Sequence, residues 1–258
     1  MGGIEKDIVV LILSTKNKKY SDFKTAIRNS WLADMNKKGV RCFFYEGDSE
    51  TEYMDTDTIY LTCGDKLNSC AQKAREAINF VTNNFENVNL IYRTNLSSYI
   101  DVDIFLDCVS SVNDKNSLYQ GIVGTASLIP EYFYSNKYIK YLLTCFNVGP
   151  KIDFCSGSGV FIGRKYFNAI IHTQKFDRFV DDLMFRLCIG KNPENSVLSD
   201  RFDFTSDFDP RCSAAEYSER VKTGLFHYRF KTDNRVIDSK LLELFGDVNF
   251  RENFCIKE

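Results

Sequence analysis

A run of six consecutive apolar residues, Ile8–Leu13, lies near the start of the chain and ends directly at Ser14 and Thr15. A short strand that is apolar at every position is buried on both faces, which is typical of a parallel sheet covered by helices. Three similar runs follow, separated by two segments with helical spacing of their apolar residues. The predicted strands are residues 40–45, 58–61 and 90–92, and the predicted helices are residues 23–35 and 70–80. This alternation predicts an α/β fold of the Rossmann-like kind, with a mainly parallel central sheet flanked by helices.

The second half of the chain has shorter elements. Helices are predicted at residues 103–109, 166–171 and 180–189, and strands at residues 121–125, 160–162, around Phe204 and at 226–230. The chain has four prolines and no segment with the composition of a linker. We therefore expect a single domain over residues 1–258.

The composition argues against several classes of protein. Lys and Arg number 33 against 35 Asp and Glu, whereas nucleic-acid binding usually shows a basic excess. Nine cysteines without a C-x-x-C pair indicate reduced core residues rather than a zinc site or a disulfide framework. No apolar stretch approaches the roughly 20 residues of a membrane helix, and the first residues do not form a signal peptide. We expect a soluble, cytoplasmic protein, or one whose membrane anchor lies outside this sequence; its oligomeric state is not indicated.

Polar residues gather where predicted strands end, which is where open α/β sheets bind their ligands. Ser14 and Thr15 end the first strand, and Arg28 lies on the helix that follows. Such a group can hold a nucleotide, but taken alone it is better explained as a capping serine and a surface arginine. A second polar segment is Arg93–Ser97, after the fourth strand. The third is Ser156–Gly159, whose two glycines permit close approach of the backbone to a ligand or form a plain turn. It lacks the third glycine of a dinucleotide fingerprint, so NAD binding is not predicted.

Taken in order, five segments resemble the β-1,3-galactosyltransferase and fringe-like glycosyltransferases, which have the GT-A fold. The segments are Ala26–Trp31, Asp65–Lys73, Arg93–Ser97, Ser156–Val160 and Val180–Leu183. The resemblance implies a UDP-sugar donor, a glycan acceptor and transfer of a hexose or pentose with inversion. On this basis we expect donor binding in about residues 1–125 and the acceptor and catalytic part in about residues 126–258. It also implies donor-binding roles for Ser14, Thr15, Arg28, Lys73, Arg93, Thr94, Asn95 and Ser97, and substrate-binding roles for Ser156, Gly157, Ser158 and Gly159. Richness in Asn, Lys, Ile, Tyr and Phe points to AT-rich coding, as in a large DNA virus or a bacterium.

The chain departs from this family where the acidic metal-binding triplet should stand, because it has Asn95, Leu96 and Ser97 there. Divalent cations such as Mn²⁺ or Mg²⁺ prefer carboxylate oxygens. Asp101 and Asp103 lie nearby, but we favour helix N-terminal acids over metal ligands for both. We therefore expect no required cofactor. The charge of the departing diphosphate would instead be stabilised by donors and cations; the candidates are Lys73, Arg93, His227 and Lys231, with Asn95 and Ser97 as neutral donors. A structural histidine is an equal alternative for His227.

An inverting transfer needs one base, which deprotonates the acceptor hydroxyl as it attacks. The resemblance assigns this role to the acidic pair, with Asp182 as the first choice and Asp181 as the second. Adjacent residues of a helix diverge by about 100°, so only one of the two can face the cleft. The alternative is that both cap the helix. At the level of function, a non-catalytic carbohydrate-binding relative and a retaining transferase stay open.

Overall fold

The computed structural model describes residues 7–127, 151–177, 179–194, 201–205, 225–232 and 234–247. Its main feature is a seven-stranded sheet in the order β3-β4-β2-β1-β5-β8-β7. The strands are β1 Ile8–Leu13, β2 Arg41–Glu46, β3 Tyr53–Asp55, β4 Thr58–Tyr60, β5 Leu90–Asn95, β7 Tyr119–Ser127 and β8 Lys151–Gly163. The four neighbours β4, β2, β1 and β5 are parallel, while β3, β8 and β7 are antiparallel to their partners. The predicted α/β class is confirmed, and the sheet is parallel at its centre and antiparallel towards both edges.

A second, three-stranded sheet has the order β6-β10-β9. Its strands are β6 Ser98–Ile100, β9 Phe202–Thr205 and β10 His227–Lys231. Strand β6 follows β5 after a tight turn, and β10 runs antiparallel to it, with Arg229 opposite Ser98. This sheet therefore carries residues from the end of the chain to the carboxyl end of β5.

The α-helices of the described part are α1 Ser21–Arg28, α2 Trp31–Lys37, α3 Cys70–Asn84, α4 Val102–Ser110, α5 Phe167–Ile171, α6 Asp181–Ile189 and α7 Arg235–Gly246. Short 3-10 turns lead into α1, α3 and α5. Alternate residues of β1 enter two apolar clusters, one on each face of the sheet. This two-sided burial is what the unbroken apolar run of β1 predicts.

The predicted helix at residues 23–35 is two helices. The hydroxyl of Ser30 donates to the carbonyl of Ala26, 2.6 Å away, at the break between α1 and α2. Gly246 at the end of α7 packs there, because a Cβ at that position would lie 2.7 Å from Ser30 Cβ. The break directs Trp31 into the core, where its indole N–H donates to the carbonyl of Ser98.

The six cysteines within the described residues are all free, and four of them are buried. They are Cys42, Cys63, Cys70, Cys108, Cys155 and Cys188. None of the helices in the described part of the chain combines the length and the apolar character that crossing a membrane requires.

Candidate functional site

A pocket of about 840 Å³ opens at the carboxyl ends of β1, β2 and β5. Strand order reverses between β1 and β5, and ligands of open α/β sheets bind at such switch points. Its polar and charged lining comes from these strand ends, from α3 and its preceding loop, from β10 and from α7. These residues are Ser14, Thr15, Lys16, Asn17, Asp48, Asp65, Lys66, Lys73, Asn95, Ser97, Arg229 and Arg235. Of the predicted donor-binding residues, the pocket thus brings together Ser14, Thr15, Lys73, Asn95 and Ser97.

The carboxylate of Asp65 ties three segments of the pocket wall together. It accepts hydrogen bonds from Thr15 Oγ1 at 2.5 Å, the Lys16 amide at 2.8 Å and the Gly47 amide at 3.0 Å. Lys73 Nζ, which is buried, donates to it at 2.8 Å. Burial works to raise the pKa of Asp65, but the bonds from Lys73, Thr15 and Gly47 hold it below its usual range. Lys73 therefore fixes the shape of the pocket through Asp65.

The turn between β5 and β6 stands where the family resemblance implies an acidic triplet. Asn95 Oδ1 accepts from the Ser97 amide at 3.1 Å, from Ser97 Oγ at 2.9 Å and from Ser98 Oγ at 3.2 Å. The amide oxygen of Asn95 is therefore occupied by the turn itself, and Leu96 is buried. Both residues line the pocket, but the two donors of Ser97 are used within the turn, so the side-chain NH₂ of Asn95 is the donor that the pair offers to a ligand.

Asp101 and Asp103, the two aspartates near this turn, both bind groups of the protein itself. Asp101 is the N-cap of α4 and accepts from the Ile104 amide, while Asp103 is exposed and pairs with Lys38 Nζ at 2.8 Å. Within the residues whose placement is described, no group of three or more His, Cys, Asp and Glu could hold a metal ion. Asp101 and Asp103 thus lie at the N-terminus of α4, and the absence of a required metal stays a prediction.

Of the predicted cationic or nucleotide-binding residues that do not line the pocket, three lie on α1 and β10. Arg28 makes two bonds to the carboxylate of Asp57, at 2.7 and 2.8 Å, and it is not among the lining residues. Lys231 is exposed at the end of β10 and does not line the pocket either. The third is His227, which is buried.

His227 lies between two hydroxyl groups in the core. Its Nδ1 is 2.9 Å from Tyr92 Oη, and its Nε2 is 2.9 Å from Ser98 Oγ. Burial, together with the charges of Arg201 and Arg229, holds the pKa of His227 well below its usual range. The ring is therefore neutral near pH 7 and supplies no positive charge, which corrects its place among the predicted cations and favours the structural alternative.

Arg93 and Thr94 are buried on β5. Arg93 Nε donates to Tyr45 Oη at 3.0 Å, and the guanidinium forms an ion pair with Asp181 at the start of α6. Thr94 Oγ1 donates to the carbonyl of Ser158 at 2.8 Å. Neither residue is among those that line the pocket, and their side chains contact β2, α6 and β8.

The two aspartates at the start of α6 differ in their surroundings, as the helix geometry requires. Asp181 is buried against Arg93, whereas Asp182 is half-buried. Burial raises the pKa of Asp181, the ion pair with Arg93 opposes the rise, and the charge of Asp182 adds to it. Asp181 is thus committed to Arg93 and Asp182 is the less buried carboxylate of the two; neither is among the residues that line the pocket.

The segment Ser156–Gly159 of β8 packs against these charged groups. A Cβ at Gly157 would come within 2.5 Å of Arg93 Nη1 and still closer to Asp182 Oδ1. The hydroxyls of Ser156 and Ser158 are 3.0 Å apart, and Arg201 donates to both. Arg201 is itself paired with Asp203 on β9. The space left by Gly157 is thus filled by the Asp182 carboxylate and the Arg93 guanidinium.

Sequence reasoning missed Lys16, Arg201, Arg229 and Arg235. Arg229 alternates with His227 and Lys231 along β10, and the same alternation that we used for those two residues could have found it. Arg201 and Arg235 carry no local signal, because strand pairing and helix packing bring them to the site.

Comparison with protein-family models gives no match, and neither does comparison with curated protein sequences. Among solved structures, the chain is similar to the crystal structure of a glycosyltransferase involved in the glycosylation of the major capsid of PBCV-1. The TM-score is 0.51 at 11% sequence identity, over 92% of this chain and 98% of that one. The chain therefore has the fold of a glycosyltransferase, while its specific resemblance to the fringe-like family stays a prediction.

Proposed function

We propose that this chain is a glycosyltransferase, which moves a hexose or pentose from a UDP-sugar to a hydroxyl of a glycan acceptor with inversion. The observation that carries the proposal is the pocket of about 840 Å³ at the switch point between β1 and β5, together with a carboxylate, Asp182, that has no basic partner committed to it within the described residues. A pocket of this size suits a nucleotide-sugar, since small-molecule sites commonly measure about 300–1,000 Å³. The fold shared with the PBCV-1 glycosyltransferase supports the same reaction class.

The donor would lie across the carboxyl ends of β1 and β5. Thr15 and the amides of the β1 loop are held by Asp65, so this wall is rigid before a ligand arrives. The Asn95 turn offers donors that suit ribose or phosphate oxygens. The cations of the lining are Lys16, Lys66, Lys73, Arg229 and Arg235, of which Lys73 is already bonded to Asp65.

Asp182 would act as the base. As the acceptor oxygen attacks the anomeric carbon, its proton passes to the Asp182 carboxylate and the bond from that carbon to the diphosphate oxygen breaks. The electron pair of the broken bond stays on the diphosphate. Asp181, with its carboxylate buried on Arg93, would hold the start of α6 and thereby the position of Asp182.

The residues of the pocket do not fit a divalent cation. Hard cations need several oxygen ligands, of which carboxylates are the strongest. Here the amide oxygen of Asn95 already accepts three hydrogen bonds, Asp65 accepts four, and Asp101 and Asp103 are engaged at α4, which leaves Asp48 as the single further carboxylate of the lining. We therefore propose that transfer proceeds without a resident metal. Activity that is abolished by excess chelator and restored by Mn²⁺ would contradict this part of the proposal.

A panel of nucleotide sugars tests the proposed function. Wild-type protein should hydrolyse one UDP-sugar slowly without acceptor, and Asp182→Asn should bind the same donor without turning it over. Binding with no hydrolysis and no transfer by the wild type would favour the non-catalytic relative. The anomeric configuration of the product, read by NMR, separates inversion from retention. The free thiols of all six described cysteines support a reducing, cytoplasm-like compartment for the reaction.

A further inference from the structure

Arg229 lies near two other arginines, Arg201 and Arg235, whose charges lower its pKa. Both of these neighbours have counter-ions. Arg201 pairs with Asp203, and Arg235 pairs with Asp238 at 3.1 Å. Arg229 lines the same pocket as Arg235, but no ion pair or hydrogen bond joins its guanidinium to any described residue. Its Nε is buried and has no hydrogen-bond partner there.

Such an arrangement is costly for the protein alone. Burial lowers the pKa of Arg229 and the charge of Arg201 lowers it further, while Asp203 and Asp182 oppose this from beyond contact distance. A half-buried guanidinium with a buried Nε and no bonded anion loses part of its hydration without recovering it. Unpaired buried groups of this kind are rare in native proteins, and a ligand is one of the ordinary reasons for them.

The position of Arg229 in the second sheet says which part of a ligand it would meet. Arg229 lies opposite Ser98 on β6, and the amide of the next residue, Phe230, donates to the carbonyl of Ser97 at 2.8 Å. The side chain therefore starts beside the Asn95–Ser97 turn. That turn is where the family resemblance implies the carboxylates that would carry a metal for the diphosphate.

We propose that Arg229 is the diphosphate-binding residue of this pocket, and that its guanidinium takes the charge that develops on the nucleoside diphosphate as the sugar leaves. The nature of the ligand rests on the proposed function. The guanidinium of arginine binds phosphate oxygens through two parallel N–H bonds, which satisfies Nε and one further nitrogen at once. When the bond from the anomeric carbon to the β-phosphate oxygen breaks, the added negative charge on that oxygen is balanced by a cation already in place.

Calorimetric titration with three probes tests this role: uridine, UDP and inorganic pyrophosphate. The variants are Arg229→Met, Arg229→Lys and, as a control with the same change of charge, Arg41→Gln at the opposite end of β2. Arg229→Met should raise the Kd for UDP and for pyrophosphate by about ten- to a hundredfold and leave that for uridine unchanged. Arg229→Lys should lose less, and Arg41→Gln should bind all three probes like the wild type.

Thermal unfolding of the unliganded variants separates a ligand-binding arginine from a structural one. Because Arg229 is half-buried, with a buried Nε and no counter-ion among the described residues, Arg229→Met should unfold at the same temperature as the wild type or higher. A clear fall in its unfolding temperature, with UDP affinity retained at the wild-type value, would overturn the inference. Wild-type protein that binds UDP no better than uridine would overturn it as well.

The inference and the proposed function can fail separately. If the wild type binds UDP through Arg229 but transfers no sugar from any UDP-sugar, the diphosphate site stands and the proposed function is wrong. If transfer is present and Arg229→Met retains both UDP affinity and rate, the proposed function stands and the inference is wrong.

Discussion

Gly157→Ala should separate donor binding from catalysis, because it acts on the Asp182 carboxylate and leaves the pocket wall untouched. The added Cβ would lie 2.5 Å from Arg93 Nη1 and still closer to Asp182 Oδ1. Carbon atoms and their neighbours normally stay about 3.5 Å apart, so a displacement of about 1 Å is needed. Arg93 is buried and bonded to both Tyr45 and Asp181, so the half-buried Asp182 is the group that moves.

The expected size of the effect follows from that displacement. Overpacking of this kind costs about 1–3 kcal/mol of unfolding free energy, which leaves a protein of ordinary stability folded. A misplacement of about 1 Å in a reacting group costs about a hundredfold in rate. We therefore expect kcat to fall about a hundredfold while the calorimetric Kd for UDP stays at its wild-type value.

Gly124→Ala is the matched control on the neighbouring strand β7. Its added Cβ would meet only the ring of Phe154, with the nearest carbon at 3.1 Å, and no charged group. This variant should keep both UDP affinity and rate. Gly157→Ala with wild-type turnover would refute the argument that Asp182 must occupy its present position. A Gly157→Ala variant that no longer binds UDP would instead support the role in substrate binding that the sequence predicts for this segment.

Asp182→Asn should reduce the rate of transfer by about a hundredfold or more at unchanged UDP affinity. Asp181→Asn should instead lower the unfolding free energy by about 3 kcal/mol, since it leaves Arg93 buried without its counter-charge. Rate assays and urea denaturation would show the reverse pattern if the roles of the two aspartates were exchanged. Asp65→Asn should destabilise the protein by about 3 kcal/mol and weaken UDP binding, because it removes the partner of the buried Lys73; unchanged urea denaturation and UDP titration would contradict the role given to Asp65. His227 is neutral in the folded protein and takes up a proton on unfolding, so the free energy of unfolding should decrease as the pH is lowered below about 6.5, by up to about 1.4 kcal/mol per pH unit. The decrease should be steeper in the wild type than in His227→Gln, and parallel stability–pH curves from urea denaturation would contradict this.

Elements whose character is local were predictable from the sequence. The unbroken apolar run of β1 predicted its burial on both sides, and the four-residue spacing of Phe23, Ile27, Trp31 and Met35 predicted four buried residues. The break at Ser30 was not predictable in this way. It depends on the packing of Gly246, which is distant in the sequence and reaches Ser30 only because α7 lies against α1.

The residues of the candidate site also fall into two groups, those whose position the local sequence predicts and those that only the tertiary structure places. Ser14, Thr15, Asn95 and Ser97 follow strand ends directly, so their place at the pocket could be read from the strand pattern. Arg28 could not be assigned without the structure, because its ion pair needs Asp57, which is brought near by the pairing of β4 with β2. A charged side chain on a helix gives no local sign of whether a carboxylate or a ligand will be its partner.

The relation between Asp182 and Arg229 bears most directly on the mechanism. In an inverting displacement, the base and the leaving group lie on opposite sides of the sugar carbon. The groups that serve them must therefore be close without being in contact. Asp182 lies near enough to raise the pKa of Arg229, and yet no ion pair joins the two among the described residues. Asp182 lies at the start of α6 against Gly157, next to Asp181 on Arg93, while the backbone of Arg229 is held by the pairing of β10 with β6. Separate elements thus carry Asp182 and Arg229, and under the proposed function we expect the reacting sugar to lie between these two side chains.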